Sequence, residues 1–138
     1  MTRFVLDASV ALAWVVDRGA EPYAIAVQNK ILNGDRPVVP EFWQLEIANV
    51  LALVLRKGTL TADEIEKGLQ YYETFLRSSA ETVGNVPSMR EVFETACNLN
   101  LTSYDALYVE LARRESLPLA TLDKALRTAA GKAGVKLA

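Results

Sequence analysis

Histidine is absent from this chain of 138 residues, and the absence narrows the available chemistry. Histidine is the usual general base at neutral pH and the partner of catalytic serines and cysteines. It is also a frequent zinc ligand. The sequence therefore excludes histidine-based catalysis and argues against a zinc site. Any chemistry must come from carboxylates, hydroxyls, lysines or a bound ion.

Cysteine is nearly absent as well, since Cys97 is the only one. One thiol cannot form an internal disulfide, which agrees with a reducing cytoplasm. Cys97 shares an apolar helical face with Val92, Phe93 and Ala96. We therefore expect a buried structural thiol and not a nucleophile.

Long apolar runs and an excess of positive charge are also missing. The apolar runs are far shorter than the roughly 20 residues that span a bilayer. Asp7 interrupts the apolar N-terminus, and Trp14 and Asp17 follow where a signal peptide would have small residues. We expect a cytoplasmic protein without membrane association. The formal net charge of −2 excludes a protein that coats nucleic acid by charge alone, although a local basic patch remains open.

Short apolar segments alternate with helical ones along the chain. The pattern predicts an α/β fold with a mostly parallel sheet of about five short strands flanked by helices, in a single domain over residues 1–138. The expected strands are 3–6, 37–39, 82–86, 119–120 and 135–137. The expected helices cover about 8–16, 22–32, 41–57, 62–77, 88–96, 102–115 and 123–130. Pro40 is expected to open the third helix, which Gly58 ends.

Three aspartates occur where strands end or helices begin. Asp7 follows the first strand, Asp123 follows the fourth, and Asp105 lies in the first turn of a late helix. Each alone is well explained as a helix-capping or first-turn acid. In a parallel sheet, however, the carboxyl ends of strands gather at one edge, where ligands bind. We therefore expect the three to converge there.

Glu46 differs because no helix cap explains it. It lies in the middle of a helix whose neighbouring residues are mostly apolar, so the helix is expected to be buried on most sides. An unpaired buried carboxylate costs several kcal/mol, and proteins pair it, protonate it or give it a metal. The alternative, that Glu46 faces solvent, stays open at this point.

Together the four acids predict a divalent-cation site. Carboxylates without histidine or cysteine select Mg²⁺ or Mn²⁺, which activate water and stabilise charge on a phosphoryl group. Ser9 and Thr121 each lie two residues from one of these acids, Asp7 and Asp123. Their hydroxyls are suited to hold metal ligands or metal-bound water in place by hydrogen bonds. Local hydrogen bonding to the backbone explains them equally well.

Four motifs, in this order along the chain, resemble the motifs of PIN-domain ribonucleases. The size of the chain resembles that of the VapC-type toxins of toxin–antitoxin pairs. The four motifs are Phe4-Val5-Leu6-Asp7-Ala8-Ser9-Val10, the stretch from Pro40 through Glu46 to Leu51, Ser103-Tyr104-Asp105-Ala106-Leu107-Tyr108, and Ala120-Thr121-Leu122-Asp123. The resemblance extends over essentially the whole chain.

The resemblance implies that Asp7, Glu46, Asp105 and Asp123 bind the metal. It implies Mg²⁺- or Mn²⁺-dependent endonucleolytic cleavage of RNA, often tRNA or rRNA, which leaves a 5′-phosphate and a 3′-hydroxyl. Asp7 and Asp105 would hold the principal ion, while Glu46 and Asp123 complete its shell or orient the attacking water. Further implications are a homodimer and an antitoxin whose C-terminal tail occupies the groove near the acids. Because no further carboxylate closely follows Asp123, one ion is the expected resting state.

Other families fit less well. A haloacid-dehalogenase-like phosphatase needs an aspartate where Ser9 stands, and a receiver domain needs a lysine where the chain has Thr121-Leu122-Asp123. Gly131-Lys132 lacks the remaining residues of a phosphate-binding loop. The remaining alternative is a catalytically silent PIN scaffold that binds RNA or a partner protein. The basic residues nearest the acids in sequence are Arg113, Arg114, Lys124 and Arg127.

Overall fold

A computed structural model describes residues 2–84 and 87–138. This part of the chain contains four strands and seven helices, in an order that alternates as predicted. The elements are β1 (Arg3–Leu6), α1 (Ala8–Val16), α2 (Pro22–Leu32), β2 (Arg36–Pro40), α3 (Trp43–Lys57), α4 (Ala62–Ser78), β3 (Glu81–Val83), α5 (Met89–Leu99), α6 (Ser103–Glu115), β4 (Leu119–Ala120) and α7 (Lys124–Lys132).

The four strands form one parallel sheet in the order β3-β2-β1-β4. Val5 pairs with Val38 of β2 on one side and with Leu119 of β4 on the other. Strands β2 and β3 are therefore added on one side of β1, and β4 is added on the other side. Such a reversal opens a crevice at the carboxyl ends of β1 and β4, at the kind of position where α/β proteins bind ligands.

The prediction of about five strands is wrong for the described residues. The segment 135–137 makes one isolated parallel bridge, between Leu119 and Leu137, and no ladder. Its hydrogen bonds run from the Leu119 amide to the Lys136 carbonyl and from the Ala138 amide to the Leu119 carbonyl. Because β4 has only two residues, it offers too little backbone for a further ladder. The predicted third strand begins at Glu81, and its last two residues, 85 and 86, lie outside the described residues.

Local capping signals located most helix boundaries correctly. Thr61 and Glu64 form a capping box at α4, Ser88 caps α5, and Gly58 ends α3 with φ of 74°. Pro40 was predicted to open α3, but it ends β2 in register with Val83. The fixed φ of proline also fits an extended strand, and α3 begins three residues later at Trp43.

The core lies around β1, whose Phe4, Val5 and Leu6 are almost fully buried. Helix α1 is buried on most of its surface, as its uniformly apolar sequence predicted. Tyr72 of α4 donates a hydrogen bond to the Ala11 carbonyl, which ties α4 to α1. Within residues 2–84 and 87–138, no helix combines the length and hydropathy needed to cross a bilayer.

Two expectations about burial are wrong. Helix α3 buries one face only, through Trp43, Ile47 and Leu51, while Leu45 is 68% exposed. Cys97 is exposed rather than buried. In both helices, apolar residues lie beside the packed face instead of on it. The apolar residues of each helix cover more of its circumference than the fold buries.

Candidate active site

Asp7 lies at the carboxyl end of β1 and is only 5% exposed. It occupies the N-cap position of α1, but its side chain makes no capping hydrogen bond. Instead its Oδ2 accepts hydrogen bonds from the hydroxyls of Ser9 and Thr121, each at 2.7 Å. The capping explanation therefore fails for Asp7, whose carboxylate is held across the crevice between β1 and β4.

The two hydroxyls also bond to the backbone. Ser9 Oγ accepts from the Leu122 amide at 3.0 Å, and Thr121 Oγ1 accepts from the Asp123 amide at 3.1 Å. Each hydroxyl therefore connects Asp7 to the turn that follows β4. The two explanations left open by the sequence both apply, since the hydroxyls support the carboxylate and satisfy local backbone groups.

Burial raises the pKa of Asp7, and the negative charge of Asp123 adds to the effect. The hydrogen bonds from Ser9 and Thr121 act in the opposite direction, because they favour the ionised form. The cost of a charge in this crevice is thus only partly offset by protein donors. A bound cation would offset the remainder.

Glu46 was expected in the middle of its helix, but it projects from the first turn of α3, because the helix begins at Trp43. Its side chain is partly buried. Its Oε1 accepts a hydrogen bond from the hydroxyl of Tyr108 at 2.5 Å. Burial, with smaller contributions from the charges of Asp7 and Asp105, raises the pKa of Glu46 to about 7, against the lowering effect of the Tyr108 bond. Glu46 is therefore neither fully enclosed nor simply solvent-facing.

Tyr108 is the site residue that sequence reasoning missed. It is fully buried on α6, and burial together with the neighbouring Glu46 raises the pKa of its phenol. It lies three residues after Asp105, on the same side of the helix. That spacing, in Tyr104-Asp105-Ala106-Leu107-Tyr108, was the available signal. Its interpretation required the position of α3.

Asp105 lies in the first turn of α6, whose N-cap Thr102 accepts a hydrogen bond from the Asp105 amide at 3.2 Å. The carboxyl is partly buried. Burial raises its pKa, and the charges of Asp7 and Asp123 raise it further. The mutual influence of these acids indicates that they share one electrostatic neighbourhood.

Asp123 does cap a helix, as its simplest interpretation predicted. Its Oδ1 accepts a hydrogen bond from the Leu126 amide at 2.9 Å at the start of α7. The residue is exposed, so it is the most accessible of the four. Its negative charge still contributes to the raised pKa values of Asp7 and Asp105.

The four carboxylates influence one another, yet they do not form a compact coordination cluster. Among the described residues, no three acidic or cysteine side chains are spaced to hold one ion. Glu46, Asp7 and Asp123 are instead each engaged by their own hydrogen-bond partners. The donor set nevertheless fits Mg²⁺ or Mn²⁺, because it consists of oxygen ligands whose mutual repulsion a cation relieves.

The sequence model of the PIN-domain family matches residues 4–132. The chain belongs to the PIN-domain family. PIN domains are generally nucleases and usually use divalent metals, which agrees with a carboxylate-lined crevice. Comparison with curated proteins gives no match.

Solved structures share this PIN fold at low sequence identity. PAE2754 from Pyrobaculum aerophilum has a TM-score of 0.69 and 22% identity, over 93% of this chain and 84% of that one. FitAcB from Neisseria gonorrhoeae has a TM-score of 0.55 and 16% identity, over 97% and 95%. A domain of a functionally unknown protein from Methanocaldococcus jannaschii has a TM-score of 0.54 and 16% identity, over 100% and 90%. At these identities the similarity establishes the fold alone.

The basic residues near the PIN-domain acids differ in their contacts and in their exposure to solvent. Arg127 donates to the Thr121 carbonyl at 2.8 Å and lies 4.8 Å from the centre of the Tyr23 ring. Arg113 pairs with Glu110 at 2.8 Å. Lys124, directly after Asp123, is exposed. Arg127 therefore supports the turn that carries Thr121, and Lys124 is the more accessible cation.

Proposed function

We propose that this PIN domain is a Mg²⁺- or Mn²⁺-dependent endoribonuclease and the toxin of a VapC-type toxin–antitoxin pair. The observation that carries the proposal is the buried Asp7 carboxylate. Two hydroxyls orient it in the β1–β4 crevice, where it shares charge repulsion with Glu46, Asp105 and Asp123. Such an arrangement is costly without a cation, and the family to which the chain belongs consists generally of nucleases.

The residues have distinct roles in this proposal. Asp7 and Asp105 hold the ion, while Glu46 and Asp123 complete its shell or orient the water that attacks the phosphodiester. A divalent ion in this position would lower the pKa of water and stabilise charge on the phosphoryl oxygens. Ser9 and Thr121 fix the orientation of Asp7, and Tyr108 fixes that of Glu46.

Further proposals concern substrate, partners and place of action. We infer tRNA or rRNA as the substrate, a homodimer, a cognate antitoxin whose tail lies near the acids, and a cytoplasmic location. One PIN domain would occupy residues 1–138. The exposed leucines of α3, Leu45, Leu53 and Leu55, supply apolar surface for such protein contacts.

A catalytically silent scaffold that binds RNA or a partner is the second candidate. It is favoured by the absence of a compact three-acid cluster among the residues that the structure describes. A scaffold without a cation would, however, retain the repulsion at Asp7, Glu46 and Asp105 for no purpose. Direct assay separates the two.

The test is incubation of the purified chain, free of partner protein, with total cellular RNA or with single-stranded DNA, in Mn²⁺, Mg²⁺ or EDTA. Asp7→Asn and Asp105→Asn should each abolish cleavage while circular dichroism remains unchanged. Asp17→Asn, which alters an exposed aspartate after α1, is the matched control. Discrete RNA fragments that require metal and both acids would support the proposal.

Other outcomes would count against it. Cleavage that persists in EDTA would show that the mechanism needs no metal. Cleavage that persists in Asp105→Asn would remove Asp105 from the mechanism. If no arm cleaves, the melting temperature with Mn²⁺ becomes decisive. A rise in the wild type but not in Asp105→Asn would indicate a metal site that needs another RNA, and no rise would favour the silent scaffold.

A further inference from the structure

A cleft lies beside the acidic site and shares two of its residues, Glu46 and Asp105. Its volume is about 470 Å³, within the range of small-molecule and cofactor pockets. The rest of its wall includes Phe42, Leu45 and Tyr104. Any strand whose phosphate reaches Asp105 or Glu46 therefore passes next to this cleft.

The main feature of the cleft is an exposed aromatic ring in a fixed position. Tyr104 is 63% exposed, although aromatic side chains usually bury most of their surface. Its ring meets Phe42 edge-on at 5.6 Å, and Phe42 in turn meets the buried Tyr108 at 5.5 Å. A chain of three rings thus runs from the core to the surface and supports Tyr104.

The polar groups of the cleft suit a neutral ligand with hydrogen-bonding edges. No lysine or arginine lines it among the described residues, while two carboxylates do. A phosphate would be repelled there, but a nucleobase would not. Asn49 lies on the cleft wall, one turn of α3 beyond Glu46, and its amide offers both donors and an acceptor.

We propose that this cleft binds one unpaired base of the substrate, next to the scissile phosphate, by stacking on Tyr104 with Asn49 beside its edge. The inference rests on the proposed nuclease function and adds the part of the site that selects the nucleotide. Stacking on an aromatic side chain contributes sequence-tolerant affinity, and an amide at the base edge adds preference among bases.

The experiment measures binding of labelled eight-nucleotide RNAs by fluorescence anisotropy in Ca²⁺, with wild type and variants of the full chain. Tyr104→Ala should weaken binding about 5- to 160-fold, the range of one lost stacking contact. Tyr104→Phe and Tyr104→Trp should stay within about twofold of wild type, because they keep an aromatic face. Phe93→Ala is the matched control, since Phe93 is 64% exposed on α5 and outside the cleft.

A second set of RNAs carries one abasic position at each place in turn. In the wild type, one position should lower affinity strongly. In Tyr104→Ala, an abasic site at that same position should lower the affinity little further. The base and the Tyr104 ring form one contact, and removing either partner already loses it. Asn49→Ala should change which base is preferred at that position more than it changes the mean affinity.

The outcomes separate this inference from the proposed function. Cleavage by the wild type with equal binding by Tyr104→Ala overturns the base-binding cleft and leaves the nuclease intact. The same result is expected if the cleft receives a protein side chain instead. Weaker binding by Tyr104→Ala and loss of the abasic effect, with no cleavage by any form and no rise in melting temperature with Mn²⁺, would support the cleft and overturn the nuclease. No RNA binding by the wild type would overturn the base-binding cleft, and it would overturn the nuclease as well if Mn²⁺ also leaves the melting temperature unchanged.

Discussion

Replacing Glu46 by glutamine should stabilise the metal-free protein at pH 8 and leave it unchanged near pH 4. Burial and the charges of Asp7 and Asp105 raise the pKa of Glu46 to about 7. In the unfolded chain the group titrates near 4.5. The ionised carboxylate is therefore less favourable in the folded state, and this cost appears as the pH rises.

The expected magnitude follows from the two pKa values. A rise from 4.5 to about 7 corresponds to about 3 kcal/mol when the group is fully ionised in both states. Because Glu46 is only partly buried, water screens a share of this, and we expect about 1 to 2 kcal/mol. The cost is fully present above about pH 7 and vanishes below about pH 4.5. Glutamine keeps the shape and can still accept the bond from Tyr108.

Thermal unfolding in EDTA at pH 8 and pH 4 measures the effect. For a chain of this length we expect a rise in melting temperature of about 3 to 8 °C at pH 8. Glu94→Gln, on the exposed surface of α5, is the matched control and should have a negligible effect at either pH. With saturating Mn²⁺ the order should reverse, because the wild type gains binding energy that the variant partly lacks.

The reasoning is refuted if Glu46→Gln is no more stable than the wild type at pH 8. It is equally refuted if the gain is the same at both pH values, since a packing effect would not follow the titration. A gain that persists in Mn²⁺ would remove Glu46 from the proposed ion site while leaving the electrostatic account intact.

Three smaller predictions follow from single contacts. Tyr108→Phe should lower the free energy of unfolding by about 1 to 2 kcal/mol at pH 8 and by less at pH 4, because the hydroxyl bonds to an ionised Glu46 only at the higher pH. Equal losses of unfolding free energy at both pH values, measured by urea unfolding, would contradict this. Thr121→Val should cost about 1 to 3 kcal/mol by removing a buried donor to Asp7, and Thr121→Ser should restore most of it. Gly68→Ala should destabilise by about 1 kcal/mol despite better helix propensity, because the added Cβ would lie 3.0 Å from a methyl group of Val15 in α1. A rise in melting temperature would show that the Val15 side chain moves aside at little cost.

Much of the fold was predictable because its signals are local. Caps and turns depend on residues within one turn of each other, as with Thr61 and Glu64 at α4. Alternation of short apolar strands with helices predicted the parallel sheet. The failures were also local in origin. Pro40 satisfies both a strand end and a helix start, and a two-residue β4 cannot support the fifth strand.

The site was only partly predictable. The four acids could be proposed as a set, but their individual environments could not. Taken alone, Asp7 and Asp123 were each well explained as helix caps; the Asp123 side chain does cap α7, whereas the Asp7 side chain makes no capping hydrogen bond. The difference arises because Thr121 lies 114 residues from Asp7 in sequence and meets it only through the pairing of β1 with β4.

The sequence by itself limited the available chemistry, since a chain without histidine and with one cysteine must rely on carboxylates, hydroxyls, lysines or a bound ion. It also determined the order of the elements and the helix caps, which depend on neighbouring residues. Only the tertiary structure decided that Thr121 and Ser9 share one oxygen of Asp7, that Tyr108 supports Glu46, and that one face of α3 stays exposed. These contacts join residues far apart in sequence, so they exist only once the sheet order and the helix orientations are fixed.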